Sequence, residues 1–295
     1  MKKESSKTTF QGHFQGHFQG HRGARGLAPE NTIPSFKKAL EHGVQGLELD
    51  IVLTGENQFL LSHEPYFSHE FCSKPTGEAI LKKEILHHNI YRMDYETIIK
   101  YDCGKRGHLR YPKQQPLPAV KPLLKSFFEE IEKYILEKGM NKPFYTLEIK
   151  SDFAWYGFMQ PLPSEMVALF IQEITNYSFY DKIKDRLLIE SFDVNILNEL
   201  HKQTQNTNTK FEIGFLVENK LSIEENLAKL DFLPSVYVPY YRLLTKKKIA
   251  ELHQKGLKVF TWTVNDTEKM QKLTNWGVDS IITDFPNRIP IVVTV

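Results

Sequence analysis

HRGARGLAPENTIPSFKKALEHGVQGLELDIVLTGENQFLLSH, residues 21–63, is the stretch from which the fold can be read. It opens on His21-Arg22-Gly23, carries Glu48 and Asp50 inside an apolar run, and closes on His63. In Gly46–Leu53 the two-residue period of a strand sends both carboxylates to one face and Leu47, Leu49 and Ile51 to the other. An unpaired carboxylate in such a strand is costly to bury, so the two acids need a partner: a cation held by oxygen ligands, or a salt-bridged core pair.

Outward from this strand the chain alternates. Pro29-Glu30-Asn31 prepares a helix start, and Ile33, Phe36, Ala39 and Leu40 recur at helical spacing up to Gly43. Apolar strand candidates follow at 144–149, 187–191, 211–217, 235–239, 258–264 and 279–283, with helical patterns at 164–177, 193–203, 222–230, 244–255 and 267–275. Strands that read as continuous apolar runs belong to a parallel sheet covered on both sides. Together with 17–21 and 46–53 they number eight, which predicts an α/β (β/α)₈ TIM barrel.

A ninth segment, 58–63, has no helix before it, only Gly55-Glu56-Asn57-Gln58, which predicts an antiparallel return beside 46–53. Facing residue numbers then sum to about 113, setting Asp50 opposite His63. Residues 66–122 break the rhythm with both cysteines, Gly77, Gly104, Gly107 and five prolines. They read as a small insertion after the third strand segment, on the catalytic face. The barrel helix after it is expected at 120–138, with Val120, Leu123, Leu124, Phe127, Phe128, Ile131 and Ile135 as its core stripe.

The 295 residues, 41% hydrophobic and 25% charged with net charge +2, suffice for one large domain and lack the clustered basic residues of a nucleic-acid binder. No apolar run of membrane-spanning length occurs, so no membrane span is expected. Residues 1–9 have no apolar segment after them, so the chain as written reads as cytoplasmic, or periplasmic or secreted if a leader was trimmed. Cys72 and Cys103 read as free thiols, which an exported form could join. FQGH occurs three times in tandem at 10–13, 14–17 and 18–21. Only the last copy runs into Arg22-Gly23, so His13 and His17 are expected to be idle and 1–17 to be a flexible repeat segment before a domain spanning 18–295.

Glu148 in Phe144–Ile149 lies near the C-terminal end of its strand, where barrel active sites sit, and offers a third oxygen ligand. A metal with two histidines suits phosphodiester cleavage without an organic cofactor, one imidazole taking a proton and the other giving one.

With Pro29-Glu30-Asn31-Thr32 and His63-Glu64 added, the stretch resembles the signature of the glycerophosphodiester phosphodiesterases: His-Arg-Gly, Pro-Glu-Asn-Thr, Glu-x-Asp, then His-Asp, with Glu64 where the family usually has Asp. Glu148-Ile149-Lys150, Glu190–Asp193, Trp262–Asn265 and Asp279–Pro286 extend the likeness over most of 18–290. The resemblance implies hydrolysis of a small-molecule glycerophosphodiester to glycerol 3-phosphate and an alcohol. It implies Glu48, Asp50 and Glu148 as ligands of one divalent cation, Ca²⁺ or Mg²⁺, and His21 and His63 as the catalytic acid/base pair. Arg22 and Lys150 would face the phosphate, and Trp262 would wall the glycerol or head group. Two alternatives remain: a lysophospholipid-acting phospholipase on the same scaffold, with an apolar rim from Tyr66, Phe67, Phe71 and the insertion, or a non-catalytic barrel that binds a phosphorylated ligand. The oligomeric state is not legible.

Overall fold

The computed structural model describes residues 17–290. Most of the FQGH repeat, including His13, lies outside the described residues; His17 begins the first strand.

Nine strands form one sheet, of which eight run parallel and close on themselves. In order the elements are β1 (His17–His21), α1 (Ile33–Glu41), β2 (Gly46–Leu53), β3 (Phe59–Leu61), α2 (Tyr95–Ile98), α3 (Leu124–Lys138), β4 (Phe144–Ile149), α4 (Pro163–Thr175), α5 (Tyr180–Ile183), β5 (Leu187–Ser191), α6 (Val194–Thr204), β6 (Glu212–Val217), α7 (Ile223–Leu227), β7 (Val236–Pro239), α8 (Lys246–Gln254), β8 (Lys258–Thr261), α9 (Thr267–Asn275) and β9 (Ser280–Thr283). Pairing of β1 with both β9 and β2 completes the predicted (β/α)₈ barrel.

β2 is buried throughout and divides as its alternation requires. Leu47, Leu49 and Ile51 join the layer packed under the helices, with Phe36 and Phe127 among their cluster, while Glu48 and Asp50 turn to the barrel interior. A separate cluster of Phe144, Leu188, Leu216, Val236, Val238, Phe260 and Ile282 packs inside the barrel. Each such side chain contributes about 1.5–3 kcal/mol when fully buried, which is why the register is firmly held.

β3 returns antiparallel along the upper part of β2, as predicted, but its register is one residue off. Ile51 faces Leu61 and Leu53 faces Phe59, so Ser62, not His63, lies opposite Asp50. The reason is the turn: Thr54 N donates to the Gln58 carbonyl and Asn57 is left-handed at φ 59°, so the loop has three residues, not four. β1 pairs with Gly46–Glu48 and β3 with Ile51–Leu53, so the two occupy successive parts of one edge of β2.

The insertion has its own core, in which Phe67, Phe71, Ile80, Ile90, Ile98 and Tyr101 pack on Val52 and Leu60. The expectation of free thiols is overturned: Cys72 and Cys103 form a disulfide inside that core. Spacing along the chain could not reveal that Ser73 and Asp102 pair as neighbouring backbones. The helix expected at 120–138 starts only at Leu124, after Pro122, and Val120 is exposed, not core.

Candidate active site

β1 ends at His21, and the next two residues turn sharply, with Arg22 at φ 50° and Gly23 at φ 83°. A side chain on Gly23 would strike Ser35, so glycine is required there. The left-handed Arg22 is held by its own N–H, which donates to Glu48 Oε2 at 2.8 Å. Asn31, also left-handed at φ 55°, donates from Nδ2 to Asp50 Oδ2 at 2.9 Å. The His-Arg-Gly and Pro-Glu-Asn-Thr segments therefore fold back onto the two acids of β2.

Across the strands Asp50 faces Glu148, Glu148 faces Glu190, and Glu190 faces Gly214, a continuous belt on the barrel interior. Oxygens of Glu48, Asp50 and Glu148 lie within 4.8 Å of one another. Arg22 Nε lies 3.1 Å from Asp50 and its Nη1 donates to Glu30 at 2.8 Å; Lys150 Nζ donates to Glu148 at 2.6 Å and lies 3.8 Å from Asp50. Lys150 is thus paired inside the acid cluster.

Burial favours the neutral form of every acid here, and the neighbours decide the outcome. Despite burial, Arg22 holds Asp50 well below the usual carboxylate range. Burial, then Asp50, pushes Glu48 far up. Burial raises Glu148 to about 7 against the opposing pull of Lys150, and Glu190 rises well above the carboxylate range through burial and then Glu148. An all-oxygen set whose acids repel one another, with Asp50 Oδ1 lacking a hydrogen-bond partner among the described residues, fits a hard divalent cation.

His21 Nδ1 lies 2.6 Å from Asp284 Oδ1, and Asp284 Oδ2 accepts from Tyr111 Oη at 2.9 Å and Asn265 Nδ2 at 2.7 Å. Although burial opposes it, His21 keeps Asp284 ionised, so this carboxylate can only accept and Nδ1 donates. His63 Nδ1 makes the same bond to Glu64 Oε1 at 2.9 Å, so the acid that replaces the family's usual Asp orients this histidine. Burial lowers both imidazoles from the ordinary histidine value.

His21, Arg22, Arg25, Glu48, His63, Glu148, Glu190 and Trp262 line one cavity of about 180 Å³ at the C-terminal mouth of the barrel. Trp262 donates from Nε1 to the Val238 carbonyl and meets Phe192 edge-on. Phe67 and Phe71, offered above as an apolar rim, are instead buried in the insertion's core. A larger cleft of about 650 Å³ at the opposite end, lined by His17, Val44, Phe144 and Arg186, lacks this convergence of acids and imidazoles.

Sequence reasoning did not assign Glu30, Asn31, Asp284, Tyr111 or Glu190. Glu30 and Asn31 sit inside the quoted Pro-Glu-Asn-Thr run, and Glu190 carried the same signal as Glu48, an acid inside an apolar strand. Tyr111 lies in the irregular insertion, where no period marks it.

The chain matches the glycerophosphoryl diester phosphodiesterase family over residues 21–288. It is 29% identical over 270 residues to the glycerophosphodiester phosphodiesterase of Caldanaerobacter subterraneus subsp. tengcongensis, covering 91% of this chain and 93% of that one. A solved structure from Silicibacter pomeroyi, provisionally described as a glycerophosphoryl diester phosphodiesterase, superposes with a TM-score of 0.77 at 28% identity, covering 92% of this chain and 90% of that one. The fold is shared with an Oleispira antarctica phosphodiesterase solved in complex with its product sn-glycerol-3-phosphate, with a TM-score of 0.70, 24% identity, and 92% and 94% coverage. Among the described residues no helix is long and apolar enough to cross a membrane. By this match across nearly the whole barrel, the chain belongs to the glycerophosphoryl diester phosphodiesterase family.

Proposed function

We propose that this chain hydrolyses small-molecule glycerophosphodiesters to glycerol 3-phosphate and an alcohol, with one divalent cation, Ca²⁺ or Mg²⁺, held by Glu48, Asp50 and Glu148. His21 and His63 act as the acid/base pair, Arg22 meets a phosphoryl oxygen, Lys150 balances the acids, and Trp262 walls the cavity. One observation carries the reading. Two imidazoles, each with Nδ1 bound to its own carboxylate, line the cavity into which the three-acid cluster opens.

When bound, the cation offsets charge on the phosphoryl oxygens. The protein does the rest. Nη1 and Nε of Arg22 are engaged with Glu30 and Asp50, which leaves Nη2 for the phosphate and keeps the guanidinium rigid. With Nδ1 committed to Asp284 or Glu64, each histidine exchanges its proton at Nε2. Burial keeps both neutral in the free protein, ready for one to accept a proton from the nucleophile. The negative phosphodiester favours protonation of the other, which then delivers that proton to the leaving oxygen.

Turnover of glycerophosphocholine with added Ca²⁺ or Mg²⁺ and its loss in chelator test this reading. Preference for a lysophospholipid would favour the phospholipase alternative, and absence of turnover on either would favour a non-catalytic barrel.

A further inference from the structure

Glu190 is an acid for which the chemistry above has no use. It is 1% exposed, its Oε2 has no hydrogen-bond partner among the described residues, and no cation sits on it as Arg22 sits on Asp50 or Lys150 on Glu148. A buried polar atom left in this state is a net cost to the folded chain unless something bound later completes it. Room has been kept for that. The facing residue on β6 is Gly214, and a Cβ there would come within 3.3 Å of Glu190 Oε2 and 3.1 Å of its Cβ.

The cavity lining divides by depth. Glu48, Glu148, Glu190, Leu216 and Ile282 are buried, whereas His63, Phe192, Trp262 and Thr263 are half-buried at the rim. A phosphodiester anchored by Arg22 between the histidines has one arm in each zone. The variable alcohol needs the open rim; the arm common to all substrates can enter the closed floor. At about 180 Å³ the cavity has room for a small polar group. The floor offers the glyceryl arm two apolar side chains and, apart from the cluster acids, one unpartnered carboxyl.

We propose that Glu190 is the specificity residue for the glyceryl moiety, its carboxyl hydrogen-bonding the terminal hydroxyl of the substrate. This rests on the glycerophosphodiester reading above. A site built around a hydroxyl rejects an analogue that lacks it, because the buried partner is then left unpaired.

The test compares glycerophosphocholine with its deoxy analogue, in which hydrogen replaces the terminal hydroxyl, on wild type, Glu190→Gln and Glu190→Leu with Ca²⁺ present. Wild type should prefer glycerophosphocholine by about 10- to 100-fold in kcat/KM. Glu190→Leu should lose most of that preference whatever its absolute rate, and Glu190→Gln, which keeps a donor and an acceptor, should retain much of it. Calcium affinity by calorimetry should stay within about threefold in both variants, since a ligand role would cost far more. Equal discrimination in wild type and Glu190→Leu, no discrimination in wild type, or loss of calcium binding in Glu190→Gln would each overturn the assignment. Failure of wild type to turn over either substrate would instead remove the reading on which it rests.

Discussion

Replacing Asp284 by Asn changes one atom and reverses what His21 meets. Tyr111 Oη and Asn265 Nδ2 both donate to Oδ2, so the amide oxygen of Asn is retained on their side and its NH₂ is turned to His21 Nδ1. That favours the imidazole tautomer protonated at Nε2, the wrong one for a base. The variant also loses a charge-assisted hydrogen bond, 2.6 Å long and sheltered from water, of about 1.5–3 kcal/mol, so kcat/KM should fall at least about 10- to 150-fold. The pH profile gives the sharper reading. Glu48, 3.9 Å from Nε2, stays in place, as do Arg22 and Arg25, which oppose protonation; removing the Asp284 charge therefore lowers the His21 pKa further. Whichever limb His21 governs should move to lower pH. Steady-state rates on glycerophosphocholine across pH with saturating Ca²⁺ measure it, with a thermal melt to show that the variant is folded. An unmoved profile and a kcat/KM within about threefold of wild type would refute the assigned role of the Asp284–His21 pair.

His21→Ala and His63→Ala should each lose about two to four orders of magnitude on glycerophosphocholine, and only one should recover on a nitrophenyl diester, whose leaving group needs no proton; equal recovery would sink the division of roles. Glu48→Ala, Asp50→Ala or Glu148→Ala should weaken Ca²⁺ binding sharply by calorimetry, and full activity in excess chelator would count against the metal. With Glu148 raised to about 7, the metal-free fold carries a proton there below that pH which the cation must displace. The gain in melting temperature from millimolar Ca²⁺ should therefore shrink between about pH 7.5 and pH 5.5, and a pH-independent gain would contradict the raised Glu148. Reducing Cys72–Cys103, which closes a 31-residue separation, should cost about 3–4 kcal/mol in chain-entropy terms and lower the melting temperature; an unchanged melt would mean the insertion unfolds separately.

The barrel was legible wherever burial imposes a period. The acids of β2 stood out because polar residues interrupt an apolar alternation, and Glu148 for the same reason. Glu190 gave an equal signal, inside the quoted Glu190–Asp193 run, and passed unassigned because no histidine lies beside it. The register of β3 slipped by one because a left-handed Asn57 shortens the loop, and nothing in the string Gly55–Gln58 distinguishes three loop residues from four. Tyr111 and the disulfide were invisible for a deeper reason. The insertion is held by non-local pairings, such as Ser73 with Asp102 and Gln114 Nε2 with the Arg25 carbonyl, that leave no repeat in the chain.

Because β1 and β3 share a single edge of β2, the proton-transfer groups and the three-acid cluster are largely indexed to one strand, whereas Glu190, Phe192, Leu216 and Trp262 hang from β5, β6 and the end of β8. The two sets meet across the cavity. Exchanging the β5–β8 half of the barrel between relatives should therefore transfer substrate preference while leaving the residues around His21 and His63 in place.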